Sequence, residues 1–161
     1  MNQNPYAPPK SLLGNLEPFL NWKIIVIHAL LLLMAGIASG IFQLHPTSLD
    51  PNVFLRTYLL NHSVIVFVYI AIFTHITYRA ENHPFAHALL ALLLSNEAAS
   101  TLYVILLSYL GEKPKPFDPF PFLVFEYISF LVALLAGAKV GISLRRRKLL
   151  RSKVSSASTN A

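Results

Sequence analysis

Histidines and carboxylic acids are the side chains in this sequence that could do chemistry, and several of them stand inside long apolar runs. His28 lies in the first such run, His62 and His75 in the second, Glu97 in the third and Glu126 in the fourth. Ionisable groups are costly to place among apolar side chains, so each of these positions is a candidate site. Their spacing along the runs decides which of them can act together.

Two histidines at one depth form the arrangement that binds a b-type haem, whose iron takes an imidazole on each face. His28 follows the start of its run by about the distance at which His75 precedes the end of the next run, so antiparallel helices place them at one depth. His62 shares the helix of His75, but thirteen residues at about 100° each turn the helix by about 220°, so the two face different ways. The sequence therefore offers haem b at His28 and His75 as one hypothesis. The alternative is that each histidine bonds a neighbouring carbonyl or carboxylate.

Glu97 stands near the middle of its run, within Ser95-Asn96-Glu97. A carboxyl group inside an apolar bundle suits a proton or cation relay, and this is a second hypothesis. The alternative is that Ser95, Asn96 and Glu97 satisfy one another and a neighbouring helix. Costly polar groups are expected to face the interior, so we predict a polar interior made of Glu97, Asn96, His62, Glu126 and Lys139. For Lys139 the long stem also allows the ammonium group to reach the nearer surface.

The sequence carries no recognisable catalytic motif, and it predicts neither catalytic residues nor a metal site. It has no cysteine, which excludes disulfides, thiolate metal sites and cysteine catalysis. Its carboxylates and histidines are scattered in depth and lack a paired Glu-x-x-His, so a zinc or dinuclear site is not supported. The chemistry points away from an enzyme.

The elements that position these side chains are four apolar segments, each long enough to cross a bilayer as a helix. Of the 161 residues, 55% are hydrophobic and only 12% are charged, which is far from a soluble domain of this size. About 20 apolar residues span about 30 Å of hydrocarbon. We predict an all-α, polytopic four-helix membrane bundle. Its helices run from about 24 to 42, 59 to 78, 88 to 110 and 122 to 144, between a cytoplasmic segment 1–23 and a basic, then disordered, cytoplasmic tail 145–161.

The basic residues predict the orientation. With a cytoplasmic N-terminus, nine of them lie inside and three outside, which is a clear positive-inside bias. The net charge of +6 would also suit binding to nucleic acid, but the basic residues cluster beside an apolar run. Membrane orientation and anionic lipid headgroups explain such a cluster better. Those inside are Lys10, Lys23, Arg79, Arg145, Arg146, Arg147, Lys148, Arg151 and Lys153, and those outside are Arg56, Lys113 and Lys115.

Small residues at four-residue spacing predict where helices approach closely. Gly36 and Gly40 form such a pair on the first helix. The fourth helix carries a longer series, namely Ser129, Ala133, Gly137 and Gly141. Contact within one chain and dimerisation both explain the pattern, and we favour contact within the chain.

The segment Asn4-Pro5-Tyr6-Ala7-Pro8-Pro9 resembles the N-terminal start of many small uncharacterised bacterial four-span membrane proteins. That resemblance implies a bacterial inner membrane and no particular activity. We therefore expect a non-catalytic membrane component or partner subunit, surrounded by lipid and acting as a homo-oligomer or within a larger membrane complex. The alternatives are a haem b electron-transfer subunit using His28 and His75, and a small proton-coupled carrier using Glu97.

Overall fold

The computed structural model describes residues 20–47, 50–111 and 120–159, with side chains of the last range described from 124 to 151. Within these ranges the chain forms four helices and no strand. They are α1, Trp22–Phe42; α2, Pro51–Arg79; α3, Pro84–Tyr109; and α4, Phe120–Thr159. The predicted all-α four-helix bundle is confirmed.

All four helices are long and apolar enough to cross a membrane. The spans of the first three coincide with the helices, and the fourth occupies Val124–Arg151 within α4. The chain is therefore a multi-pass membrane protein, as its composition predicts. Helices are the expected solution, because each of them satisfies its own backbone hydrogen bonds where no water is present.

The helices begin at residues suited to that position. Asn21 caps α1 by accepting a hydrogen bond from the Ile24 amide at 3.3 Å, and Asp50 caps α2 by accepting one from the Asn52 amide at 2.8 Å. Pro51 and Pro84 stand at the first positions of α2 and α3, where the missing amide hydrogen has no intrahelical partner to lose.

Two helices are longer than the sequence predicts. The helix α2 begins at Pro51 instead of near residue 59. The tail expected to be disordered continues α4 to Thr159. Neither glycine nor proline occurs after Gly141, so nothing in the local sequence ends that helix. The Asn4–Pro9 segment and the proline-rich stretch 112–119 lie outside the described residues.

The bundle core lies along α2, which packs most extensively against α4, while α1 packs most against α3. All four helices contribute buried apolar side chains to the core. The largest of those that are fully buried are Ile25, Leu32, Phe73, Ile76 and Leu134. The helix α2 therefore contacts both α1 and α4, which carry several of the candidate side chains.

The approach of α4 to α2 is closest at two glycines. A Cβ atom built at Gly137 would lie 2.6 Å from the Phe73 Cβ atom and 2.8 Å from the Ile70 carbonyl oxygen. One built at Gly141 would overlap the Thr77 hydroxyl oxygen. Gly137 and Gly141 of the small-residue series therefore make a contact within the chain, as predicted.

One end of the bundle gathers the start of α1, the end of α2 and the start of α3. The Asn21 amide donates to His87 Nε2 at 2.8 Å, and the Arg145 guanidinium of α4 donates to the carbonyls of Ala80 and Glu81. We call this the basic end, because it holds seven of the described cations. They are Lys23, Arg79, Arg145, Arg146, Arg147, Lys148 and Arg151.

Candidate functional site

His28 and His75 meet between α1 and α2, near the basic end. Their ring nitrogens, His28 Nε2 and His75 Nδ1, are 2.9 Å apart, and the ring centroids are 5.1 Å apart with the planes tilted by 43°. His28 is buried, whereas His75 is exposed on the other side. The two histidines therefore lie at one depth, as expected from their positions in the two apolar runs.

The hydrogen bonds around the pair assign its protons. His28 Nδ1 lies 2.7 Å from the Ile24 carbonyl oxygen one helical turn earlier, and that oxygen can only accept. His28 Nδ1–H is therefore the donor, which leaves Nε2 as an acceptor for His75 Nδ1–H. The result is a chain of two hydrogen bonds from α2 through the buried imidazole to the α1 backbone, and it ties the two helices together.

This geometry does not fit a haem between the two rings. Two imidazole nitrogens on opposite faces of one iron are about 4 Å apart, since each metal–nitrogen bond is about 2.0 Å. The observed 2.9 Å is a hydrogen-bond distance and leaves no slot for a macrocycle. The haem hypothesis therefore requires α1 and α2 to separate, and the structure supplies no support for that.

His62 lies in a second place, on α2 toward the opposite end of the bundle, and it is surrounded by aromatic rings. Its ring centroid is 5.8 Å from that of Tyr58, 4.9 Å from that of Phe125 and 5.9 Å from that of Phe130. The side chain is only 9% exposed, and its Nε2 atom has no hydrogen-bond partner among the described residues. His62 thus belongs to the interior, as predicted, and is separate from the His28–His75 pair.

Two more of the predicted interior residues line a small cleft between α3 and α4. Asn96 and Glu126 are half-buried there, facing a space of about 200 Å³ that Phe130 separates from His62. The remaining two, Glu97 and Lys139, lie on the exposed surface of the chain, against the expectation that both face the interior. The reason is helical geometry: Asn96 and Glu97 are adjacent, so about 100° of rotation separates their directions.

The half of α3 beyond Glu97 has little protein around it. Every residue from Ala99 to Leu106 is exposed, which covers about two full turns of the helix. On this stretch Ser100 and Thr101 follow Glu97 by three and four residues and share its face. The Thr101 hydroxyl donates to the Glu97 carbonyl at 2.8 Å, so it is satisfied within the helix.

Two polar residues at the basic end were not predicted from the sequence as site residues. His87 is buried, and it donates from Nδ1 to the His83 carbonyl at 3.0 Å while Nε2 accepts from the Asn21 amide. Arg145 closes the end of α2 through two carbonyls. The predicted third span starts at residue 88, which left His87 in a connector. Pro84 in the sequence indicates a helix start, and His87 stands four residues after His83, in the first turn of that helix. That position could have identified His87 as a residue that bonds the start of the helix.

No group of three or more histidine, aspartate or glutamate side chains that could hold a metal ion occurs among the described residues. No family model, no curated protein and no solved structure matches the chain.

Proposed function

We propose that this protein is a non-catalytic membrane subunit that assembles with a second copy of itself through α3. The observation that carries the proposal is the position of Glu97, an exposed carboxyl group at the midpoint of a spanning helix. Charged side chains at the bilayer centre cost about 2.5–3.5 kcal/mol on insertion scales, so they face protein and not lipid. Within the described part of one chain, nothing covers this face of α3.

The surroundings of Glu97 support the same interpretation. Ser100 shares its face, and every residue of the two turns from Ala99 to Leu106 is exposed. A helix that packs in a bundle buries at least one stripe of its surface. The exposed half of α3 buries no such stripe against the described residues. We infer that a helix of another chain packs there.

A second copy suits this face because of symmetry. In a two-fold dimer whose axis runs along the membrane normal, each residue lies at the same depth in both copies, so Glu97 and Ser100 of one chain meet the same residues of the other. The exposed Ser100 hydroxyl donates a hydrogen bond and the Glu97 carboxyl accepts one, which makes this face self-complementary. Helix association in lipid depends on such polar contacts.

The exposed cation Lys139 is not at the right depth to pair with Glu97 of another copy. Glu97 stands thirteen residues from the start of α3 at Pro84, or about 20 Å from the basic end. Lys139 stands six residues before Arg145, or about 9 Å from that end. The difference of about 10 Å favours the symmetric contact.

The proton-coupled carrier is less well supported. Among the described residues, Glu97 does not line the cleft at the basic end, the cleft beside His87 or the cleft beside Glu126. A relay group has to face a path for protons or cations, and an outward carboxyl in a single chain does not.

Disulfide trapping in native membranes tests the proposal without background, because the protein has no cysteine of its own. Ser100→Cys places a thiol one turn from Glu97 on the proposed contact face. Ile128→Cys is the matched control, since this exposed residue of α4 lies eight residues from Phe120, much as Ser100 lies nine residues from Tyr109. We expect a covalent dimer with Ser100→Cys and none with Ile128→Cys.

A second change tests the role of Glu97 in that dimer. Glu97→Gln retains a hydrogen-bonding amide and should keep the Ser100→Cys cross-link, whereas Glu97→Leu should weaken dimerisation about three- to fifteenfold, from about 0.6–1.7 kcal/mol per interhelical hydrogen bond. Equal cross-linking at Ser100 and Ile128 would contradict a specific contact. A cross-link to a different protein at Ser100 would replace the second copy with a partner chain.

We also propose that both termini are cytoplasmic and that the membrane is a bacterial inner membrane. The basic end supports this orientation, because cytoplasmic flanks carry the excess of lysine and arginine. Reporter fusions at Ser48, Asn82, Lys113 and Ser158 test it. An external signal from the fusions at Asn82 or Ser158 would reverse the orientation.

A further inference from the structure

The basic end contains a cleft of about 580 Å³ between the end of α2 and α4. Tyr78 and Arg79 of α2 form one wall, Glu81 of the following connector forms the rim, and Arg145 and Lys148 of α4 form the other wall. Three cations and one carboxylate therefore face the same space. The cleft carries a net positive charge of two, counted as three minus one.

Two of the three cations make no ion pair with another residue that the structure describes. Arg145 is engaged with the carbonyls that end α2. The Lys148 ammonium nitrogen lies 5.8 Å from the centroid of the Tyr78 ring, which positions the cation without neutralising it. The Arg79 guanidinium makes no hydrogen bond or ion pair with another described residue. Arg79 and Lys148 are thus available to an anion.

The start of α3 adds to the positive potential of this cleft. Asn82 lines the space, and α3 begins two residues later at Pro84. The amino end of a helix carries a partial positive charge and favours anions. This contribution supports the one made by Arg79 and Lys148.

The position of the cleft selects the kind of anion. It lies beside Arg79, where the span of α2 ends, and beside the cationic run 145–148 that follows the apolar stretch of α4, so any ligand sits at the level of the lipid headgroups. On α4, Val140 and Leu144 precede Lys148 by eight and four residues, are exposed, and therefore form an apolar track leading from the membrane to the cation. A phosphate in the cleft with acyl chains on this track fits both surfaces.

We propose that this cleft binds the headgroup phosphate of an anionic phospholipid, with Arg79 and Lys148 as its ligands. Basic pockets between spanning helices recognise anionic headgroups in this way. The site does not depend on the α3 contact, because none of its residues belongs to the exposed half of that helix.

Native mass spectrometry of the full-length protein in detergent tests the site, with titration by phosphatidylglycerol, by phosphatidylcholine and by inorganic phosphate. The double variant Arg79→Gln/Lys148→Gln removes the two proposed ligands. Arg146→Gln/Arg147→Gln is the matched control, because it removes the same charge from exposed residues of α4 that do not line the cleft.

We expect phosphatidylglycerol to bind about 30-fold more weakly to the Arg79/Lys148 variant, since each basic side chain near an anionic headgroup contributes roughly fivefold. The control variant should bind within about twofold of the unmodified protein. Both Arg79 and Lys148 are exposed, so an unchanged melting temperature without lipid should show that the variant folds.

Three outcomes would overturn the proposal. Equal losses in the two variants would mean that the basic helix attracts anions diffusely. Equal binding of phosphatidylcholine would mean that charge does not select the ligand. Displacement of the lipid by inorganic phosphate at comparable concentration would make a free phosphate, and not a lipid, the occupant of the cleft.

Discussion

Gly137→Ala is the sharpest test of the packing of this bundle, because it adds one methyl group where α4 meets α2. That methyl carbon would lie 2.6 Å from the Phe73 Cβ atom and 2.8 Å from the Ile70 carbonyl oxygen. Carbon atoms in contact are normally about 3.5–4.0 Å apart, so the helices have to separate locally by about 1 Å. The atoms in the way belong to the α2 backbone or are attached directly to it, so no rotamer change relieves the overlap.

The expected cost follows from two opposing effects. Overpacking a well-packed contact costs typically about 1–3 kcal/mol, and here it also weakens the packing of neighbouring residues such as Leu134 and Phe73. Replacing glycine by alanine in a helix interior returns about 1 kcal/mol. Because the overlap involves the α2 backbone, the overpacking cost lies in the upper part of its range, at about 2–3 kcal/mol, and the net effect is a destabilisation of about 1–2 kcal/mol. For a chain of this length that corresponds to a fall in Tm of about 2–8 °C.

Gly40→Ala is the matched control in the same assay. Gly40 also belongs to a spanning helix, in the last turn of α1, but a Cβ atom there meets nothing within 4 Å. Its melting temperature in detergent should equal or exceed that of the unmodified protein, while Gly137→Ala should fall below it. Equal melting temperatures for the two variants, or a rise with Gly137→Ala, would refute the close approach of α4 to α2.

Four further outcomes are expected. His75→Ala should lower stability by about 1 kcal/mol, because it leaves the buried His28 Nε2 without its donor; unchanged melting would contradict the pair. The unmodified protein, purified after expression with ample haem, should show no b-type band in a reduced-minus-oxidised spectrum, and a band lost in both His28→Ala and His75→Ala would restore the haem hypothesis. His87→Ala should speed hydrogen exchange of the Asn21 amide, and Arg145→Gln should speed exchange at the end of α2; unchanged rates would argue against both contacts.

The small-residue patterns show how far sequence spacing reaches. Gly36 and Gly40 have the same four-residue spacing as Gly137 and Gly141, so the sequence does not distinguish them. In the structure only the second pair meets another backbone closely; a Cβ atom at Gly36 would be 3.5 Å from the Tyr69 hydroxyl oxygen, an ordinary contact. Small residues at four-residue spacing make a close approach of two helices possible. Whether the approach occurs depends on which helix lies beside them.

The candidate sites divide in the same way. Depth follows from counting residues along a span, and the contact of His28 with His75 agrees with that count. Direction does not follow from it, which is why Glu97 and Lys139 lie outside the bundle although Asn96, the neighbour of Glu97, lines a cleft within it. The direction in which a side chain projects from its helix cannot be read from the sequence when apolar residues occupy every face of that helix.

The sequence by itself determined the number of spans, their all-helical character and the gathering of cations at one end, because lipid requires long apolar helices and unpaired charge is excluded from it. Only the tertiary structure decided that α2 pairs with α4, that the two imidazoles share a hydrogen bond and that the Glu97 face is left uncovered. The physical reason is that the hydrophobic effect, which places apolar residues in the membrane, does not discriminate between lipid and protein neighbours once they are there. Close packing and hydrogen bonds make that choice, and both depend on which helices meet.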